Sequence, residues 1–343
     1  MAQTGAGIYA GGSFPSLASG IYLREDLIDV VQNLDKNKTA AVFMAVGKTT
    51  ANGMVHSWEL DVLPATATTG SVEGEDWASA GITGRTRLSN AVQNFKFNVG
   101  VSMDSLEYSL KGQAPGVGNE YQYQIARHLQ TLQQSIDARI VALGTSVASA
   151  SAAGSASVAL LGALRSFQTS ATAASGVAES SAATNCCQIH IGGAWSRTRF
   201  LALNEFMFGQ GANPDTLVVD PGVKADVTND ILGESAATGI RQVHFDNSSN
   251  EFTQNVQFMR TDFNRVAILV DRFVPTAATA TNSLAGGAFF LFDRSVVRLA
   301  FWRPIRHYPL PPNGEAQRGY VHCGATIEVL APRGLGVGYN ITT

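Results

Sequence analysis

Between Asn119 and Leu143 the apolar residues Tyr121, Ile125, Leu129, Leu132, Ile136, Ile140 and Leu143 recur every three or four positions. That spacing puts them on one face of a helix. Asn119 suits the N-cap, Glu120 the first turn and Gly144 the stop. At 1.5 Å per residue such a helix runs roughly 37 Å. Gln, Arg and Asp fill the other faces, so one side is covered and one is free. The stripe lasts little more than three heptads, which favours core packing over a coiled coil. The rest of the chain must therefore supply an apolar surface of matching length.

Strand periodicity lies on both sides of this helix. In Met54 to Val62, one face carries Met54, His56, Trp58, Leu60 and Val62; the other carries Val55, Ser57, Glu59 and Asp61. A turn-rich acidic stretch follows, with Gly70, Glu73, Gly74, Glu75, Asp76 and Gly81. Then Phe95, Phe97, Val99 and Val101 alternate with Lys96, Asn98, Gly100 and Ser102. Together the two strands read as a long ribbon, marginal unless it packs on something. Upstream, the Gly-, Ala- and Ser-rich residues 1–20 read as a flexible arm, and Arg24 to Leu34 as a short helix.

Downstream, Thr145 to Asn185 is rich in Ala, Ser, Gly and Thr and reads as a loop or insertion, ordered in part around Leu160 to Phe167. From Cys186 onward helices and strands mix. Helices are expected at Trp195 to Phe208 and Val223 to Leu232. Strands are expected at Thr216 to Val219, Arg241 to Phe245, Glu251 to Arg260 and Arg265 to Asp271. Phe289 to Phe292 and Val296 to Trp302 suggest a hairpin around Asp293-Arg294. Val321, Cys323, Ala325, Ile327 and Val329 alternate in a final strand. The fold class is α+β.

At 343 residues and 36.2 kDa the chain makes one elaborate domain or two ordinary ones. Only 15% of residues are charged, against the usual quarter. Either much of the surface is buried against neighbours, or Ala, Gly, Ser and Thr in loops dilute the charge. The net charge of −3 and the lack of any basic block argue against a dedicated nucleic-acid binder. Arg outnumbers Lys, which suits forked pairing with carboxylates. The first 23 residues carry no charge, but Gly11, Gly12 and Pro15 interrupt any span or signal core.

No motif assigns chemistry. The histidines lack metal-site spacing, and Cys186, Cys187 and His190 have no second ligand pair at finger spacing. Glycines 334, 336 and 338 follow the last expected strand, so they read as turn or strand glycines rather than a dinucleotide loop. No nucleophile elbow or Walker loop occurs. A noncontiguous Ser-His-Asp triad stays open, with nothing to promote a particular serine. Glu73, Glu75 and Asp76 lack regular oxygen-ligand spacing and read as a solvated acidic loop. No metal, cofactor or membrane contact is expected.

The order of elements and several local patterns resemble the Hong Kong 97-like major capsid proteins of tailed phages. The matching pieces are LREDLIDVVQNLDKNKTA, WELDVL, Glu73-Gly74, RTRLSNAVQNFKFNVGVS and NEYQYQIARHLQTLQQSIDARI. Further on come NPDTLVVDPGVK, TDFNRVAILVDRFVP and LFDRSVVRLAFWRP. The resemblance covers nearly the whole chain and departs at Thr145 to Asn185. It implies an N-terminal arm at 1–37 and an extended-loop hairpin at 38–102. It also implies a peripheral domain at 103–187 and 301–343 with spine helix 119–143, and a mainly axial domain at 188–300. It implies assembly into hexamers and pentamers around double-stranded DNA, with a portal and scaffold or decoration proteins as further partners and only weak, non-specific contact with the DNA.

Under this reading the functional residues are inter-subunit contacts. The candidates are Arg24, Trp58, Glu59, Asp61, Glu73, Glu75, Asp76, Arg85, Arg87, Phe95 and Phe97. The alternatives are an encapsulin-like compartment shell and a soluble hydrolase. Some relatives of this fold cross-link covalently through a Lys and an Asn. Lys48 is the donor nearest the extended loop, but nothing marks a partner Asn or a catalytic acid. No cross-link is expected, so denaturing gels of mature particles should show one 36.2 kDa band and no mass ladder.

Overall fold

The structure, a computed structural model, describes residues 40–61, 73–74, 85–107, 120–142, 159–168, 187–231, 244–246, 251–253, 256–276, 287–312 and 314–342. The expected arm at 1–37 and its helix at Arg24 to Leu34 lie outside these residues. Helix α1 (Ala41–Ala45) leads into strand β1 (Gly47–Thr50). Strands β2 (Val55–Leu60), β3 (Thr86–Ala91) and β4 (Gln93–Ser102) precede the short α2 (Met103–Glu107) and the long α3 (Glu120–Ile140). Then come β5 (Gln188–Gly193), α4 (Arg197–Gly209), β6 (Thr216–Val219) and α5 (Pro221–Ile231). Short strands β7 (His244–Asp246), β8 (Glu251–Thr253) and β9 (Phe258–Arg260) lead to β10 (Arg265–Val270). The chain ends with β11 (Gly287–Phe292), β12 (Val297–Leu310), β13 (Ala316–Val329) and β14 (Leu335–Ile341).

Two sheets dominate. One has the order β1-β12-β13-β4, the other β5-β14-β11-β6-β10-β9. The stripe read from the sequence is the face that α3 buries: Leu132, Ile136 and Ile140 are sealed against Phe95, Val99, Val321, Cys323, Ala325 and Ile327. Strand β13 lies between β12 and β4 and is buried on both faces from Val321 to Val329. The second sheet splits its side chains cleanly. Phe290, Phe292, Leu335 and Val337 join the α3 core, while Phe289, Leu291, Leu217 and Val219 meet α4 and α5 through Phe200, Leu203, Met207, Val223 and Val227. Coverage on both faces explains the unbroken apolar runs at 217–219 in β6 and 288–292 in β11.

Three expectations need correcting. The strand at Phe95 to Val101 does not pair with Met54 to Val62. Strand β2 pairs with β3 (Trp58 opposite Leu88), whereas β4 pairs with β13 (Phe97 opposite Val321). The alternating face of β4 fits the α3 stripe, and the more polar β3 closes the hairpin instead. The expected hairpin around Asp293-Arg294 is a crossover between sheets, because β11 pairs with β14 and β6 while β12 pairs with β1 and β13. Asp293 holds that turn: its carbonyl accepts from the Val296 amide and its carboxylate from the Ser295 amide and hydroxyl. The run Glu251 to Arg260 holds two strands, β8 and β9, in different sheets.

Residues 335–341, grouped by sequence with the spine helix, form β14 inside the six-stranded sheet. Its glycines allow close approach. A Cβ at Gly336 would lie 2.6 Å from the Met207 sulfur, and one at Gly338 would overlap the Phe289 ring. The segment around Leu160 to Phe167 is ordered, ending in a 3₁₀ turn at Leu164–Phe167. Buried Gln168 ends it, donating to the carbonyls of Pro332 and Leu335 and accepting from the Cys187 amide.

A buried acid pair joins the spine helix to the end of β10 in the six-stranded sheet. Asp137 of α3 accepts from the Phe43 amide of α1 at 2.7 Å, and Asp271, just after β10, accepts from the Phe273 amide at 2.9 Å. Both side chains are fully buried, and each keeps one oxygen with no other partner. One proton between them satisfies both. Burial, followed by the neighbouring Asp271, pushes the Asp137 carboxyl up to about 8, and burial also raises Asp271. An unfolded Asp releases its proton near 3.8, so the folded form binds more protons than the unfolded one up to about 8. The stability from this group is complete below the lower value and is lost as pH rises to the upper one. Asp137→Asn supplies the amide donor permanently. Its melting temperature should pull ahead of the wild type as pH rises from about 4 to 8 and then hold a constant lead, equivalent to a few kcal/mol.

Candidate assembly surface

The hairpin of β2 and β3 is fixed firmly at its base. The Trp58 indole N–H donates to the Val329 carbonyl at 2.8 Å, and its ring packs on Phe167 and His56. His56 lies 3.4 Å from Glu328. Asn90, 2% exposed, donates to the carbonyls of Ile327 and Gly162 and accepts from the Gly162 amide. One side chain thus ties β3, β13 and the 159–168 segment together.

Further out the hairpin is polar and exposed. Arg85 lies 3.4 Å from Glu59 and 3.7 Å from Asp61, and Arg87 donates to the Ser57 hydroxyl at 2.8 Å. Glu73 is exposed in a turn with Gly74, whose φ of 85° suits glycine. Glu75, Asp76 and Arg24 lie outside the described residues. Trp58 and Phe95 are buried within the subunit, and Phe97 is half-buried with its ring stacked on His128 of α3. The expectation that Trp58 and Phe95 face a neighbour is therefore corrected: the Trp58 ring packs on Phe167 and His56 and the Phe95 ring on the α3 core, while Phe97 keeps part of its surface exposed. Arg85, Glu59 and Asp61, three of the contact candidates, pair with one another across the exposed hairpin.

The sequence reading missed the outer face of the four-stranded sheet, the side away from α3. Strand register sets its rungs: Asn94, Gly324 and Arg303; Lys96, His322 and Arg306; Asn98, Tyr320 and Tyr308; Gly100, Arg318 and Leu310. A bulge in β12 between Phe301 and Arg303 turns Trp302 onto this face as well, against the Gly324 position. Tyr308 and Tyr320 stack at 5.3 Å, Lys96 lies 4.4 Å from the Tyr320 ring, and Arg303 lies 4.3 Å from that of Trp302. Burial, then Arg303 and Lys96, lower the His322 pKa. The available signal was the i, i+2 spacing of Arg318, Tyr320 and His322, which only strand pairing links to β4 and β12.

Among the described residues no group of acids, histidines and cysteines is placed to hold a metal. Cys187 and Cys323 are buried thiols, and burial pushes the Cys323 thiol up to about 12. No helix among the described residues is long and apolar enough to cross a membrane.

The same architecture occurs in solved capsid structures. The capsid of a native GTA particle computed with C5 symmetry matches with a TM-score of 0.63 and 10% identity, covering 97% of this chain and 100% of that one. The Gordonia phage Cozz structure matches at 0.58 and 14% identity, covering 97% and 96%. The holo-SrpI encapsulin complex of Synechococcus elongatus PCC 7942 matches at 0.54 and 9% identity, covering 96% of each. A search of curated proteins by sequence finds no match. A spine helix under one sheet, a second sheet sharing its core and a projecting hairpin define a shell subunit of the Hong Kong 97-like fold. The family model of the SU10 major capsid protein matches residues 8–342, and the chain belongs to that family. It is a structural component of the virion and not an enzyme, which sets the hydrolase alternative aside.

The base and the exposed part of the hairpin should respond differently to mutation. Asn90→Ala takes away the acceptor of the Gly162 amide and the donor to two carbonyls, those of Gly162 and Ile327, and should cost on the order of 2 kcal/mol in chemical unfolding of the subunit. Arg85→Ala, at an exposed pair, should change it by no more than about 0.5 kcal/mol.

Proposed function

We propose that this subunit closes an icosahedral head from hexamers and pentamers of itself, around double-stranded DNA held by weak, non-specific contact. The observation that carries this is the β2-β3 hairpin, which among the described residues is anchored at its base and offers its outer part to solvent. A two-stranded ribbon gains little by standing alone, and a neighbouring subunit gives it a surface. In this reading residues 1–37 reach across neighbours and 38–102 form the extended loop. The spine helix and four-stranded sheet make the peripheral domain. The six-stranded sheet, with β14 included, makes the axial domain. The C5 symmetry of the GTA capsid supports five-fold assembly of this fold. A portal and a scaffold or decoration protein complete the partner set.

An encapsulin-like compartment is the second reading, supported by the SrpI likeness. The contents of the shell separate the two. Expressed alone, the chain should sediment as shells, or as pentamers and hexamers of the 36.2 kDa subunit, visible by electron microscopy. A chain that stays monomeric at high concentration, even beside its neighbouring gene products, would overturn the assembly reading. Particles purified from infected cells should contain DNA; a protein cargo in its place would favour the compartment.

A further inference from the structure

The turn that joins β9 to β10 forms an open cleft of about 510 Å³, lined by Phe258, Arg260, Asp262, Phe263 and Arg265 among others. Ligand clefts run from about 300 to 1,000 Å³, so this one has room for a small molecule. Arg260 and Arg265 stand directly opposite each other on the strand pair, and both are exposed. Among the described residues neither pairs with a carboxylate. Like charges directly opposite each other destabilise a sheet. With their Cβ atoms about 5 Å apart, both guanidinium groups can reach one anion. Phe258 lies two residues before Arg260 on the same face, and the Arg265 guanidinium sits 4.0 Å from its ring centroid.

The cleft is held rigid from behind. Asn204 of α4, fully buried, donates to the Thr261 hydroxyl and to the Asn264 side-chain oxygen at 2.9 Å each, and Asn264 donates back at 3.1 Å. Asn264 also donates to the Pro214 carbonyl, and the Phe263 ring stacks on Phe208 at 5.1 Å. A short exposed turn forms without a buried amide network; this one is fixed in place, and a preformed site loses less freedom on binding. Strand β9 is also the open edge of its sheet. Gln257 and Thr261 turn their backbone groups towards β10, so alternation turns the Phe258 and Arg260 amides to the open edge as further donors.

We propose that this cleft binds a nucleotide: Arg260 and Arg265 hold its phosphate, the Phe258 and Phe263 rings flank its base, and Asp262 accepts from an amine of that base. The rings are 51% and 41% exposed, which leaves a planar group somewhere to lie. The carboxylate of Asp262 beside two arginines sets the ligand class. It opposes a run of anionic groups, such as an acidic peptide, and suits one anion joined to a hydrogen-bond donor. A duplex hides its base faces in the stack, so the source is a free nucleotide or an unpaired nucleotide of a single strand. This goes beyond the assembly reading and does not rest on it.

Calorimetric titration of the full-length chain with GMP, UMP and a short single-stranded oligonucleotide tests this. GMP or the strand should bind saturably, and whichever binds more tightly names the source. Arg260→Ala and Arg265→Ala should each weaken binding at least about tenfold, since each removes charge-assisted hydrogen bonds to the phosphate. Both side chains are exposed, so the two variants should melt with the wild type. UMP, whose base has no exocyclic amine, should bind more weakly than GMP, and Asp262→Asn should narrow that gap. The proposal is overturned if neither GMP nor the strand saturates the wild-type chain, or if both arginine variants bind as the wild type does. It is also overturned if inorganic phosphate, duplex DNA or a poly-glutamate peptide binds as tightly as the nucleotide, because the cleft is then a general anion patch. Binding is read per chain whether or not shells close, so failure of the shell reading leaves the test intact.

Discussion

Burial of the α3 stripe is the interaction on which the rest of the subunit depends. Leu132, Ile136 and Ile140 seal one face of β4 and β13 and at the same time meet Phe290, Phe292, Leu335 and Val337 from the second sheet. Three elements distant in sequence share one apolar core, so neither sheet is complete without the helix. The polar contacts are arranged around this core. The Asp137–Asp271 pair closes it on the α1 side, and Tyr121 and His307, joined at 2.9 Å, close it beneath Gly319. A side chain at Gly319 would collide with both rings, so the end of β13 that carries the cationic rungs keeps its place through a missing Cβ.

Much of this was legible from periodicity. The stripe from Tyr121 to Ile140, the alternation of Phe95 to Val101 and the apolar runs at 216–219 and 289–292 each became the element that their spacing implies. Pairing was not legible. The alternation in β4 shows that one face is buried but not by what, and the strand that completes its ladder lies more than 200 residues away. Trp58 and Phe95 looked like contact residues because an isolated ribbon would expose them. Their partners, the Val329 carbonyl and the α3 core, are tertiary.

The surface charge divides in the same way. The acid-rich stretch near Glu73 is local and could be read directly. The cationic face is spread over β4, β12 and β13, and no window of sequence contains it. Its arginines are dispersed enough that the chain lacks a basic block, although three strands collect them on one side of one sheet. Low overall charge and a charged face are therefore compatible.

Gln168 has a wider meaning. Its side chain bridges the carbonyls of Pro332 and Leu335 and the Cys187 amide, so the chain leaves the core and re-enters it at one stapled point. With both ends fixed here, added residues between Gln168 and Cys187 carry a small closure cost, since doubling a connection costs only about 0.6 kcal/mol. Selection can lengthen, shorten or rewrite that segment without renegotiating the fold. This makes it the natural place for one lineage of shells to differ from another, and a ready graft site for a foreign peptide.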